Sequence, residues 1–140
     1  MKVVVDTNIL VSGLLWRGNP SIILDAILDN RLDLLVSEEL LAELREVLRR
    51  LRIIKHIQAR GLDADWSCDF IQDRCLIISP SRQTEMPELR DQKDLHVLHA
   101  ACAAAVEMVI TGDKDLLTLK SFSGILIVDA AEAVKRLGLS

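Results

Sequence analysis

The sequence predicts an α/β fold of three layers, α/β/α, with a parallel sheet at its centre. Short apolar runs alternate with longer segments of helical period along the whole chain. Strands separated by helices imply parallel strands with helices on both faces. Three of the five apolar runs are also followed by an aspartate at the strand's end. In open α/β sheets ligands bind beyond the carboxyl ends of the strands, at the switch point. The 140 residues, half of them hydrophobic, fit one domain spanning 1–140.

The elements follow in order. Val3–Val5 reads as a buried strand, and Leu10–Leu15 starts a short helix. Asn19-Pro20 opens a second helix, with proline at its first position and Ile23, Leu24, Ile27 and Leu28 as its stripe. Leu32–Val36 is the second strand. Ser37 is an N-cap for a helix from Glu38 to about Leu51. Helices over Ile53–Arg60 and Asp65–Asp73 come next, with Gly61 between them. Cys75–Ile78 is the third strand, and polar Ser81–Arg90 is a loop. A helix over Gln92–Ala105, a strand over Met108–Thr111, a helix over Asp115–Leu119, a strand over Ile125–Val128 and a helix over Ala130–Leu137 complete the chain.

Composition excludes several classes. The net charge of −4 argues against a protein that grips nucleic acid by bulk charge. Cys68, Cys75 and Cys102 are odd in number and lack C-x-x-C spacing, so neither a disulfide framework nor a zinc site is expected. A reducing, cytoplasmic compartment fits that usage. Asp6 interrupts the apolar start too early for a signal peptide. The stretch from Ala100 to Ile110 is too short to span a bilayer, so no membrane association is expected.

Asp6, Asp113 and Asp129 each follow a strand. Helix capping accounts for Asp129, where Ala130 begins a helix. Asp6 and Asp113 sit among more polar groups than capping needs: Thr7-Asn8 after the one, Asp115 after the other. On the helix after Ser37, the stripe Leu40, Leu41, Leu44, Val47, Leu48 and Leu51 centres near Leu44. At about 100° per residue, Glu38, Glu39 and Glu46 point away, while Glu43 lies at the border. It is the acid of this helix most able to reach inward, with an exposed Glu–Arg pair as the alternative. Asp94 shares an apolar face with Leu98, Ala101 and Ala105, where a carboxylate is costly unless paired or bound to metal. Its alternative is a capping arrangement within Asp91-Gln92-Lys93-Asp94. Four carboxylates from four elements suit Mg²⁺ or Mn²⁺, hard cations that take oxygen ligands. Two such ions can activate water and stabilise the leaving oxygen of a phosphodiester.

Val-Val-Asp-Thr-Asn at 4–8, Ser-Glu-Glu-Leu-Leu-Ala-Glu-Leu at 37–44, Arg-Asp-Gln-Lys-Asp at 90–94 and Val-Ile-Thr-Gly-Asp-Lys-Asp-Leu-Leu at 109–117 resemble the PIN-domain family. The resemblance covers essentially the whole chain and is nearest the VapC-like toxins of bacterial toxin–antitoxin pairs. It implies a five-stranded parallel sheet of order 3-2-1-4-5, Mg²⁺- or Mn²⁺-dependent RNA cleavage, a homodimer and a cognate antitoxin. Carried over by position, the core acids are Asp6, Glu43, Asp94 and Asp113, with Asp115 and Asp91 in support and Asn8 orienting the site. One departure concerns Asp113 and Asp115: many toxins carry Thr-x-Asn-x-x-Asp-Phe where this chain has Thr111-Gly112-Asp113-Lys114-Asp115-Leu116. Gly112 is expected to permit a tight exit from the strand.

The basic stretch holding Arg45, Arg49, Arg50, Arg52, Lys55 and Arg60 is either an RNA-facing patch or the solvated side of a helix pair. Setting the four core acids aside leaves 17 acidic against 17 basic side chains, so the acidity is largely the site itself. Aromatics are too few for a base-stacking platform. Trp16 is placed to touch substrate, and Trp66 and Phe70 read as core or dimer contacts. His96 and His99, three apart, carry only a weak metal signal, and Cys102 reads as core packing. Two rival functions remain. An aspartate-nucleophile phosphatase also uses an Asp after the first strand, but usually wants a second Asp where this chain has Asn8. The other is a degenerate domain that only binds a partner or RNA.

Overall fold

The computed structural model describes residues 1–78, 97–98, 100–102 and 105–140. Strand β1 (Lys2–Val5) lies inside the sheet, and helices α1 (Thr7–Leu15) and α2 (Asn19–Leu28) follow it. Then come β2 (Asp33–Ser37), α3 (Glu38–Leu48), α4 (Leu51–Ala59), α5 (Ala64–Gln72) and β3 (Cys75–Ile78). Residues 97, 98 and 100–102 are helical. The chain ends with β4 (Met108–Ile110), α6 (Lys114–Leu119), β5 (Ser121–Phe122), β6 (Ile125–Val128) and α7 (Ala130–Leu137). The expected loop at Ser81–Arg90 and the first part of the helix expected from Gln92 lie outside the described residues.

The sheet runs β3-β2-β1-β4-β6-β5. Its first five strands are parallel and follow the expected order 3-2-1-4-5, with β6 as the fifth. The five-stranded, all-parallel expectation needs one correction: β5 pairs antiparallel with β6 and makes a sixth strand. Ser123 (φ 50°) and Gly124 (φ 81°) form the two-residue turn between them. Two positive φ values in succession match the twist that a tight hairpin requires. A two-residue strand carries no periodicity, so its turn was the only signal available.

Both sheet faces are covered. Val3 and Val5 enter a core built with α1, α2, α4, α5 and α7. Val4 enters a second core with Leu35, Val36, Leu98, Ala101, Val109 and Leu116. Burying a valine contributes roughly 1.5–3 kcal/mol, so these three side chains pin β1 in place. A slip of one residue would drag Asp6 into the core, so their burial fixes where Asp6 emerges.

Helix α1 begins at Thr7, three residues before the expected start. Its Gly13 lets α2 approach closely: a Cβ there would stand 2.8 Å from the Pro20 carbonyl oxygen. Ser37 caps α3 as expected, accepting from the Leu40 N–H at 3.2 Å. Leu40, Leu41, Leu44, Val47 and Leu48 are buried, reproducing the predicted stripe. The helix stops at Leu48, short of the expected Leu51, and extended Arg50 (ψ 135°) starts α4. The Arg60 guanidinium donates to the Leu15 carbonyl and ties the end of α4 to that of α1. Trp66 and Phe70 are not core residues: they stack at 4.9 Å along α5, and Trp66 is exposed. All three cysteines are free, and no described helix is long and apolar enough to cross a membrane.

Candidate active site

Among the described residues four aspartates stand at helix N-caps, and three of them cap in the ordinary way, with the carboxylate turned onto the first N–H groups. Asp63 accepts from Asp65 N at 2.8 Å, Asp113 from Asp115 N at 2.8 Å, and Asp129 from Glu132 N at 2.8 Å. Asp6, at the start of α1, makes no capping bond. Its Oδ2 instead accepts from Thr111 Oγ1 at 2.8 Å, across 105 positions of sequence. Pairing of β1 with β4 places them together, since Val5 lies opposite Ile110 and Asp6 N donates to the Ile110 carbonyl at 2.9 Å.

Thr111 is fully buried, and its backbone N–H bonds to the Val128 carbonyl at 2.9 Å. Its hydroxyl donates to Asp6 and accepts from Asp113 N at 3.1 Å. One hydroxyl thus joins the two strand-end aspartates and fixes their relative position. On the other side of Asp6, buried Thr7 donates to Glu43 Oε2 at 3.2 Å. Glu43 is half-buried, while Glu38, Glu39 and Glu46 are exposed. Burial raises the pKa of Asp6, and the negative charge of Asp113 raises it further. The Thr111 hydroxyl and the nearby N–H groups of Thr7 and Asn8 work in the opposite direction, without cancelling the rise.

Asn8 and Asp115 are exposed, two residues beyond Asp6 and Asp113 respectively. Asp91, Asp94, His96 and His99 lie outside the described residues. Arg45 reaches Asp69 and Gln72, both at 3.3 Å, and Arg49 grips Asp65 Oδ1 through Nη2 at 2.8 Å. These two arginines fasten α3 to α5, so the cations of that stretch left without an acidic partner among the described residues include Arg52 and Lys55. Asp113 does cap α6, contrary to the expectation that weighed against capping, but Oδ1 alone does so. Gly112 has an ordinary φ, and a Cβ there would meet only Ile9 Cδ1 at 3.9 Å, so the expected conformational need is absent.

Sequence reasoning gave no role of their own to Thr111 and Thr7, although Thr7 follows Asp6 and Thr111 stands two residues before Asp113. Thr111→Val should raise the pKa of Asp6 further and cost about 1–3 kcal/mol of stability, because the partly buried Asp113 N–H loses its acceptor. Thr111→Ser should restore both. Carboxyl NMR titration and chemical denaturation check the pair.

The donors are all oxygen, the chemistry a hard divalent cation prefers. No ion pair among the described residues reaches Asp6 or Asp113. The negative charge of Asp113 bears on Asp6 with no side-chain cation among the described residues paired to either, which fits a place for metal. Among the described residues, no three His, Cys, Asp or Glu side chains converge closely enough to hold an ion by themselves. The fourth predicted acid, Asp94, is outside them.

The family profile described as PIN domain matches residues 2–115. Comparison with curated proteins gave no significant match. Among solved structures, the fold is similar to a chain in the crystal structure of VapBC2 from Rickettsia felis bound to a DNA fragment from their promoter. The superposition has a TM-score of 0.63 at 17% identity and covers 92% of this chain and 98% of that one.

Proposed function

The chain belongs to the PIN-domain family, whose members are generally nucleases, and on that premise we propose that it is a Mg²⁺- or Mn²⁺-dependent endoribonuclease. We further read it as the toxin of a toxin–antitoxin pair, working in the cytoplasm as a homodimer and restrained by a cognate antitoxin. Likeness to a VapBC2 chain supports the antitoxin partner. Leu76 and Ile77, exposed on edge strand β3, offer apolar surface for a second copy.

The observation that carries the reading is the Asp6–Thr111–Asp113 unit: two acids at neighbouring strand ends, joined by a buried hydroxyl. Asp6, Glu43, Asp94 and Asp113 would hold the ion, with Asp115 and Asp91 in support. A divalent cation supplies, when bound, Lewis acidity for water and for the leaving oxygen of the phosphodiester. The protein's own residues prepare the place. Thr111 holds one oxygen of the Asp6 carboxylate and the backbone N–H of Asp113 on the same hydroxyl. Thr7 holds Glu43. Two N–H groups of α6 anchor Asp113 through one oxygen. Partial burial of Asp6 strengthens electrostatic interactions there by thinning the water. Asn8 is read as orienting the site by hydrogen bonding.

Purified protein incubated with total RNA should generate new ends in Mn²⁺ and none in chelator. Equal cleavage in chelator would overturn the proposal.

Asp113 and Asp115 should differ. Asp113 stands beside Asp6 electrostatically, whereas Asp115 is exposed in the first turn of α6. Asp113→Asn should therefore lose more Mn²⁺ affinity than Asp115→Asn, and the second variant should keep cleavage at raised Mn²⁺. Calorimetric titration decides, and equal affinities would overturn the assignment.

A further inference from the structure

A groove of about 580 Å³ is walled by α1 and α4. It starts at Asn8, two residues from Asp6, and follows α1 to Trp16. That is a path of about 12 Å along the helix axis. Arg50, Arg52 and His56 line it, and no carboxylate among the described residues does. Arg50 is partly engaged by Glu46 at 3.5 Å, and Arg52 has no ion-pair partner among the described residues. Trp16 is 51% exposed, and its ring meets that of His56 at 5.1 Å and 82°. A perpendicular contact occupies at most one face of the indole. The Arg60 bond to the Leu15 carbonyl holds the far end of the groove together.

An anionic strand approaching a cluster of acids needs positive charge close by, and the chain as a whole carries −4. We infer that this groove seats the single-stranded RNA substrate next to the scissile bond, with one base stacked on Trp16 and a phosphate on Arg52. Stacking on an aromatic face tolerates any base, while an arginine held in a groove follows the backbone. The assignment deepens the nuclease reading and rests on it. It makes Trp16 and Arg52 substrate-positioning residues, separate from the acids.

The test measures two things on the same proteins. Cleavage of a labelled single-stranded oligoribonucleotide in Mn²⁺ gives KM and kcat. Fluorescence anisotropy of that oligonucleotide in chelator gives binding and its salt dependence. Trp16→Ala should weaken binding and raise KM by about tenfold with kcat little changed, and Trp16→Phe should keep most of the affinity. Arg52→Gln should lower the slope of log K against log salt by about 0.7, the share of one single-strand phosphate. Trp66→Ala, which removes the exposed tryptophan on α5, should change neither. Wild-type cleavage with unaltered KM and binding in Trp16→Ala and Arg52→Gln would overturn the groove and leave the nuclease reading standing. Absence of cleavage by the wild type, with oligonucleotide binding still dependent on Trp16 and Arg52, would overturn the nuclease reading alone. Variants that lose a protein partner but bind RNA normally would assign the groove to that partner and overturn the inference.

Discussion

Asp6→Asn should lose Mn²⁺-dependent RNA cleavage by well over about 100-fold, more than removal of a group that merely orients a ligand. The same variant should melt at a higher temperature than wild type in metal-free buffer at neutral pH. Asparagine has the same shape, and its carbonyl oxygen still accepts from Thr111 Oγ1. Only the charge is lost, and that charge is unwelcome in the metal-free fold. The folded-state pKa of Asp6 lies above its ordinary value of 3.8, because of burial first and Asp113 second. A raised carboxylate pKa means that the folded state holds the proton more tightly than the unfolded state does. The ionised group therefore costs stability above the folded pKa, and the cost fades as pH falls through that value towards 3.8. The melting advantage of Asp6→Asn should accordingly be full at neutral pH and shrink on acidification. Calorimetric melts across pH, without metal, check the sign. An advantage that grew in acid would contradict the burial argument, and full cleavage by the variant would overturn the site.

Glu43→Gln should reduce cleavage by a comparable factor, whereas Glu39→Gln should stay within about twofold of wild type, as surface substitutions usually do. Both are in α3, four residues apart, and both changes remove one charge at constant shape. Glu39 is exposed, while Glu43 is half-buried against Thr7. Glutamine at 43 can still accept from the Thr7 hydroxyl, so a loss would report the missing charge rather than a collapsed contact. Initial rates at saturating Mn²⁺ compare the two, and the reverse ranking would mean that α3 presents a different face to the site.

What was legible depended on how local the cause was. Ser37 as a cap, the leucine stripe of α3 and the valines of β1 are written in neighbouring residues, and their elements fell within a few positions of expectation. Glu43 was singled out by helix geometry, and it is the half-buried glutamate of α3. The start of α1 was harder to see. Thr7 and Asn8 look like loop residues, yet burial of Thr7 and Ile9 carries the helix back to them. Thr111 shows the deeper limit. Its hydroxyl matters only because β4 pairs with β1 and brings Asp6 within 2.8 Å, a fact no sequence window contains. Arg45 and Arg49 read as one basic stretch with Arg52 and Lys55 until α5 supplied the carboxylates that separate them.

The 105 positions between Asp6 and Thr111 also set a timetable for synthesis. At about 5–20 residues per second, Asp6 is polymerised roughly 5–20 s before Thr111. Throughout that interval the nascent chain has no β4 to lie beside β1, so the two aspartates cannot be joined. If the chain cuts RNA as proposed, the delay would shield the message being translated. A polypeptide released early, short of β4, has Asp6, Glu43 and Asp94 in its sequence but neither the bridging hydroxyl nor Asp113, and on the proposed reading it should be inert.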